Sequence, residues 1–293
     1  MNIIRNFEKK LAKARRMSYY KYMVSVAPTD QNIFNSRGKR SPFMPNWCSN
    51  NIHLKANPQI LDKVVKQILI KDGEEYKFNF QHFLPMPKEL DIEESSTSYI
   101  QQSWLNIKKQ PQRKFIELEE EIKNKYHMPV NIFSEMKQYF SELFDWSNLT
   151  VGEIFIHFEE NPEIASRFYY FHDLANRIAE NIEKYGHVTW YGWRLSNWGC
   201  TWDVCDDSTY VTVGAEDIWI NCDTAWGPPE GIYNEIARRF PDVEFEAKYF
   251  EDGMWFAGTY KGFEGALFEY PCKEEEVRAF AAEHFSYEYD EDD

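Results

Sequence analysis

Three short runs of this chain change polarity at every residue. Ile52 and Leu54 alternate with Asn51, His53 and Lys55; Ile218, Ile220 and Cys222 alternate with Trp219, Asn221 and Asp223; Val243, Phe245, Ala247 and Tyr249 alternate with Glu244, Glu246 and Lys248. A period of two puts successive side chains on opposite faces, so each run predicts a strand buried on one side only. Strands of that kind build antiparallel sheets whose apolar face must be covered by helices. The covering helices are legible between them. Asn57-Pro58 opens one, with Leu61, Val64, Val65, Ile68 and Leu69 on one face before Lys71-Asp72-Gly73 ends it. Pro228-Pro229-Glu230 opens another, with Ile232, Tyr233, Ile236 and Phe240 facing inward until Pro241 forbids continuation. Glu251-Asp252-Gly253 turns the chain from the third run into Trp255–Tyr260, and a last helix is expected around Val277, Phe280, Ala281 and His284.

Between these parts the pattern changes. Phe78 to Pro87 reads as a short extended stretch, and a mainly helical insertion is expected from about Leu90. Phe115, Leu118, Ile122 and Tyr126 mark one helix; Ile132, Met136, Tyr139 and Phe140 mark a second. Ile154, Ile156 and Phe158 suggest a strand, and Asn161-Pro162 then opens one long helix striped by Ile164, Phe168, Phe171, Ala175, Ile178 and Ile182. Alternation resumes at Cys200, Trp202 and Val204, followed by Val211 and Val213. With the insertion set aside, the order is strand, helix, strand, strand, helix, strand, with one strand appended. That is the ferredoxin-like order. The expected fold class is therefore α+β: an antiparallel ferredoxin-like sheet with helices on one face, interrupted by a helical insertion. The expected division is an N-terminal extension over 1–43, sheet segments over 44–89 and 191–270 flanking an insertion over 90–190, and a helix with an acidic tail over 271–293.

Charge divides the chain more sharply than its total suggests. The formal net charge is −15 over 293 residues. From Met1 to Pro42 ten basic residues, Arg15 and Arg16 among them, face only Glu8 and Asp30, so this arm carries +8 and the remainder −23. A generally basic nucleic-acid binder is excluded, whereas a basic arm that docks on an acidic surface is not. No apolar run approaches the ~18–20 residues that cross a bilayer. No signal-peptide pattern opens the chain, so a soluble cytoplasmic protein without a membrane partner is expected. The five cysteines are an odd number at irregular spacing, which disfavours a disulfide framework; buried thiols are the expectation, with Cys200, Cys205, Cys222 and His187 the weaker alternative of a zinc site.

Four stretches resemble a known family. Met44-Pro45-Asn46-Trp47-Cys48-Ser49-Asn50 resembles the opening of the YubB-like proteins of phages and plasmids. Phe83-Leu84-Pro85-Met86-Pro87, then Trp193-Arg194 through Asn197-Trp198-Gly199 to Trp202-Asp203, then Thr224-Ala225-Trp226 to Pro228-Pro229, look like that family's later signatures in the same order. The chain departs at Cys200-Thr201, where a Thr-Lys pair is expected, and at Gly227, where Ser is usual. The resemblance implies a ferredoxin-like domain starting at Met44 and a mobile-element origin, with no established chemistry. The size and two-ended charge would also suit a phage inhibitor of a bacterial defence complex such as the Gabija system.

Aromatics are 17 % of the residues, and the richest cluster is Trp190, Tyr191, Trp193, Arg194, Trp198 and Trp202. Tryptophan and arginine supply interface hot spots, aromatics on ferredoxin-like sheets stack nucleobases, and indoles also fill cores. Arg15, Arg16, Trp193, Arg194 and Trp198 are the partner-binding candidates. Asp203, Asp206, Asp207, Asp217 and Asp223 could hold a metal ion for a hydrolase, and His157 and His172 flank a helix start that could bring them together. No Walker loop, GxSxG elbow or HExxH is present, and no cofactor is implied. The leading expectation is a non-enzymatic counter-defence protein that binds a host defence complex and forms a homo-oligomer, with the arm docking on a neighbouring copy, on its own acidic body or on the external partner. The alternatives are a nucleic-acid module using the arm and sheet aromatics, and a metal-dependent hydrolase.

Overall fold

A computed structural model describes residues 45–288. Arg15, Arg16 and the rest of the basic arm lie outside the described residues.

Two strands that alternate in sequence form the centre of the sheet. β1 (Trp47–Lys55) pairs antiparallel with β5 (Asp217–Ala225) on one side and with β6 (Glu244–Glu251) on the other. β4 (Tyr210–Val213) flanks β5, and β7 (Phe256–Phe263) and β8 (Ala266–Pro271) extend the other side, giving the order β4-β5-β1-β6-β7-β8. The first four positions, β4-β5-β1-β6, are the ferredoxin-like arrangement. The sequence predicts one appended strand; the structure has two, because the two-residue turn Glu264-Gly265, both with positive φ, folds β8 back on β7.

The register aligns the alternation across strands. Cys48, Asn50, Ile52 and Leu54 of β1 lie level with Thr224, Cys222, Ile220 and Ile218 of β5, all buried. Over this face lie α1 (Pro58–Ile68) and α10 (Glu230–Arg239), which supply Leu61, Val64, Ile68, Ile232, Tyr233 and Ile236. Asn50 sits in that apolar layer without cost because its amide is fully used: Nδ2 donates to the Cys48 and Cys222 carbonyls and to Thr224 Oγ1, and Oδ1 accepts from the Tyr233 hydroxyl at 2.8 Å. Buried Glu251 is satisfied likewise, accepting from the Gly253 and Met254 N–H groups in the turn after β6, although burial raises its pKa. Among the described residues the opposite face is covered only at one end, where α11 (Glu274–Phe285) packs Val277 and Ala281 on Phe250 and Ala257.

Everything between α1 and β4 departs from the ferredoxin-like frame. Leu69 leaves the helix stripe to begin β2 (Leu69–Asp72), and Gly73, at φ +64°, turns it into β3 (Glu75–Phe78). The Lys71-Asp72-Gly73 stop signal is thus a hairpin turn. Phe78–Pro87 is not extended throughout, since α2 (Phe80–Phe83) occupies its middle. The helical region comprises α3 (Ser96–Lys108), α4 (Glu119–Asn124), α5 (Ile132–Ser141), α6 (Val151–Glu160), α7 (Pro162–Arg167) and α8 (His172–Tyr185) around a second aromatic core of Trp104, Phe115, Phe133, Phe140, Phe155, Phe158, Phe168 and Tyr170.

Two expectations fail here. Ile154, Ile156 and Phe158 belong to α6, not to a strand: Ile154, Phe155 and Phe158 are inward at helical spacing while Ile156 is exposed. The long helix after Pro162 is two helices, broken at Tyr169, whose φ is +59°. Trp104 holds the break by donating its indole N–H to the Phe168 carbonyl, and Gln101 bonds Tyr169 O and Phe171 N.

Candidate functional site

The tryptophan-arginine cluster lies at a joint between the helical region and the sheet. Residues 190–197 form α9 (Trp190–Asn197), which the sequence pattern did not reveal. Trp198 is wholly buried, edge-on to Trp193 (centroids 6.0 Å) and to Phe80 (5.7 Å), and donates its indole N–H to the Leu84 carbonyl at 2.9 Å. Trp193 is buried beside it. The Arg194 guanidinium lies over both Trp190 (5.0 Å) and Trp198 (4.7 Å) and donates to the Thr201 carbonyl; burial lowers its pKa, opposed by Asp203 and Asp91. Delocalised charge between two indole faces is the setting arginine tolerates well. Of the residues expected to meet a partner, Trp193 and Trp198 are buried where the helix that carries them meets the sheet, while Arg194 is half-buried.

Cys200 to Val204 does not form a strand; it wraps this joint. Asp203 accepts from the N–H groups of Phe80 (2.7 Å), Gln81 (3.0 Å) and Val204 (2.9 Å), so its carboxylate tethers α2 to the chain ahead of β4. Desolvation by burial raises its pKa while those bonds oppose the rise. Gly199 has φ +90°, and a Cβ there would lie 2.6 Å from the Glu230 nitrogen, so only glycine lets α9 approach α10.

These contacts explain where the four family-like stretches go. Trp198 bonds Leu84; Trp226 N–H donates to the Asn46 carbonyl at 2.9 Å; Thr224 Oγ1 bonds the Cys48 carbonyl at 3.4 Å and the Gly227 carbonyl at 2.8 Å; Gly231 N–H donates to Trp198 O at 3.1 Å. The stretches meet at one end of the sheet and hold it closed.

The other chemical candidates disperse. Asp217 accepts from Trp219, Asp223 accepts from Ser49 at 2.8 Å, and Asp203 is the tether described above. His157 faces the Tyr139 hydroxyl at 3.1 Å, whereas His172 packs edge-on against Tyr170. Cys48, Cys200 and Cys222 are buried thiols whose pKa burial pushes up, and Cys205 and Cys272 are half-buried. Among the described residues no group of three or more His, Cys, Asp or Glu is placed to hold a metal ion. No helix among them is long and apolar enough to cross a membrane.

What the sequence reading passed over is the uncovered sheet face. The alternation that buries Ile52 and Ile220 turns Asn51, His53, Trp219 and Asn221 outward, and Tyr210 and Thr212 of β4 join them in register. Trp219, 37 % exposed, stacks on His53 with centroids 3.9 Å apart and planes 13° from parallel. Asp217 Oδ2 holds both rings, at 3.0 Å from Trp219 Nε1 and 3.4 Å from His53 Nε2. Tyr210 is 67 % exposed beside them. Asn51 Oδ1 is shielded from solvent with no hydrogen-bond partner. Further across, Glu246 binds Lys248 and Lys261, which lowers its pKa, so the face mixes both signs of charge. The signal for this site was present in the sequence as the outward half of each alternating run.

The family comparison agrees with the sheet. The family described as "Ferredoxin-like domain in Api92-like protein" matches residues 198–292. A crystal structure of a protein api92 from Yersinia pseudotuberculosis is similar at 13 % identity, covering 78 % of this chain and 99 % of that one, with a TM-score of 0.34. No curated protein matches the chain.

Proposed function

We propose that this is a non-enzymatic binding protein that docks on a protein partner through the uncovered half of its sheet over β4, β5 and β1. The observation that carries the reading is the Trp219–His53 stack. An indole left more than one-third exposed, braced by an imidazole and a shared carboxylate, is a rigid anchor of the kind that dominates interface energetics. Asn51, Asn221, Ser49 and Asp223 surround it with polar groups, as a rim around such an anchor requires. Its acidic members, Asp217 and Asp223, favour a protein over a polyanion.

The partner in this proposal is a bacterial anti-phage complex, with the Gabija system a candidate, and the protein is a phage- or mobile-element inhibitor that occludes it. The YubB-like stretches support the mobile-element origin, and the +8 arm against the −23 remainder supports a role in gripping a large assembly. Trp219→Ala combined with Tyr210→Ala should abolish co-purification with the defence complex and the rescue of phage growth in hosts that carry it. Recovery of no stoichiometric partner by the natural chain, together with unaltered phage growth, overturns the reading.

Single-stranded nucleic acid is the second reading, because aromatics on the two central strands of an open sheet are where RNA modules stack bases. Filter binding at low salt distinguishes it. Tight, salt-sensitive binding that Trp219→Ala weakens would replace the protein partner with a nucleic acid.

A further inference from the structure

The far edge of the sheet carries a second surface that does not rest on the partner reading. Among the described residues β8 is the terminal strand, paired only with β7. The Cys272 N–H donates to the Ala257 carbonyl, so Tyr270, Phe268 and Ala266 turn their backbone groups toward β7, while Leu267 and Glu269 turn theirs away. Native edges of this length are normally guarded by a charged side chain or a proline. The one charge in β8 is not on guard: Glu269 reaches back to accept from the Tyr249 hydroxyl on β6 at 2.9 Å. Pro271 blunts only the last position. On the uncovered face the strand shows Phe268 (48 % exposed) and Tyr270 (57 %), with Phe263 of β7 (65 %) beside them.

We infer that β8 pairs antiparallel with β8 of a second copy, about a two-fold axis through Phe268, joining two six-stranded sheets into one. Self-complementarity selects both the occupant and the register. With the axis at Phe268, Leu267 of each copy exchanges both backbone bonds with Glu269 of the other. All four outward N–H and C=O groups of these two residues in each copy are then satisfied. Phe268 meets its own symmetry mate in the closely spaced, non-hydrogen-bonded position, where side chains touch most intimately. The bulky Tyr270 faces the small Ala266 of the other copy, and the proline faces the turn glycine Gly265, where no N–H is needed. Shifting the axis to Glu269 sets two carboxylates opposite each other, and shifting it to Leu267 leaves Glu269 facing the turn without a strand partner. An isologous contact of this kind closes as a dimer and leaves no free β8 edge.

Analytical ultracentrifugation and directed cross-linking of the full chain test the pairing. The natural chain should sediment at twice its monomer mass. Phe268→Glu, which places like charges across the axis, should sediment as a monomer with an unchanged circular dichroism spectrum. Glu269→Pro should do the same, since it removes an outward N–H but no bond to β7. Under oxidation Phe268→Cys should form an inter-chain disulfide, because residues in that position approach to a Cα separation of about 4.5 Å, within disulfide reach. Tyr270→Cys, which faces Ala266, should not. A natural chain that stays monomeric overturns the inference, as does a dimer indifferent to both edge variants, which would place self-association elsewhere. If either edge variant unfolds, the contrast between the two cysteine variants decides: cross-linking by both or by neither rejects the register.

Discussion

The two faces of one sheet, built from the same strands, have opposite fates. On the covered face Ile52, Ile220 and Ala247 are wholly buried, and even Asn50 is enclosed with every amide valence used. On the other face His53, Trp219 and Lys248 stand one residue away and keep solvent contact, while α11 packs on the end of the sheet at Phe250 and Ala257. The same contrast separates two tryptophans. Trp198 is enclosed and satisfied by a backbone carbonyl; Trp219 is braced by side chains that are only half-buried. A buried indole whose every contact is internal contributes stability, whereas an exposed indole held rigid has contact surface to offer a partner. Residue type alone does not distinguish the two.

Substitutions should separate the faces by size of effect. Trp198→Ala removes a fully enclosed ring and leaves a cavity, and should cost about 4 kcal/mol in chemical denaturation. A loss under about 1 kcal/mol would show that the joint is loosely packed. Asp203→Ala strips the acceptor from three N–H groups, and about 2 kcal/mol is expected, because a buried donor left unpaired loses its desolvation compensation. On the outer side of the covering helix α10, Glu235 binds Arg238 and Arg239, which hold its pKa down at about 2. A depressed carboxylate contributes stability above its unfolded pKa of about 4.3, and that contribution is lost as pH falls toward 2. The natural chain should therefore lose about 1 kcal/mol more than Glu235→Gln between pH 5 and pH 2, a modest figure because Arg238 is largely exposed. Smallest of all, Trp219→Ala should change stability by about 0.5 kcal/mol, as surface substitutions do. If instead it matched Trp198→Ala, the uncovered face would be a packing surface and the proposed anchor would fail.

How much was legible depended on whether a signal was local. The strands at the sheet centre and helices α1 and α10 follow from polarity repeating along single segments, and the structure has them where Ile52, Ile220, Tyr249, Leu61 and Ile236 predict. The α6 error had a local remedy: Thr150 and Glu153 form a reciprocal capping box, and that spacing marks a helix start just before the run read as a strand. The break at Tyr169 had none. Its stripe continues in phase across the kink, and only Trp104 and Gln101, more than sixty residues away, dictate the turn. The candidate site divides in the same way. Trp193 and Trp198 are conspicuous in sequence yet buried, packed with Phe80 and the residues of α10 in one core, while Trp219 is inconspicuous among ten tryptophans yet exposed, because among the described residues no helix covers it.

What the amino-acid sequence determined by itself is the frame: alternation sets which strands are half-buried, helix stripes and prolines set where their covers begin and end, and charge count makes the two ends of the chain unlike. Period and charge are properties of neighbours in the chain, so they can be read there. Tertiary structure alone decided how much of the polar face α11 covers and where it stops. It also decided that four separated family-like stretches meet as one joint, and that Glu269 leans inward and leaves β8 unguarded. Those outcomes turn on which distant surface reaches a residue first, and no repeat within a segment encodes that.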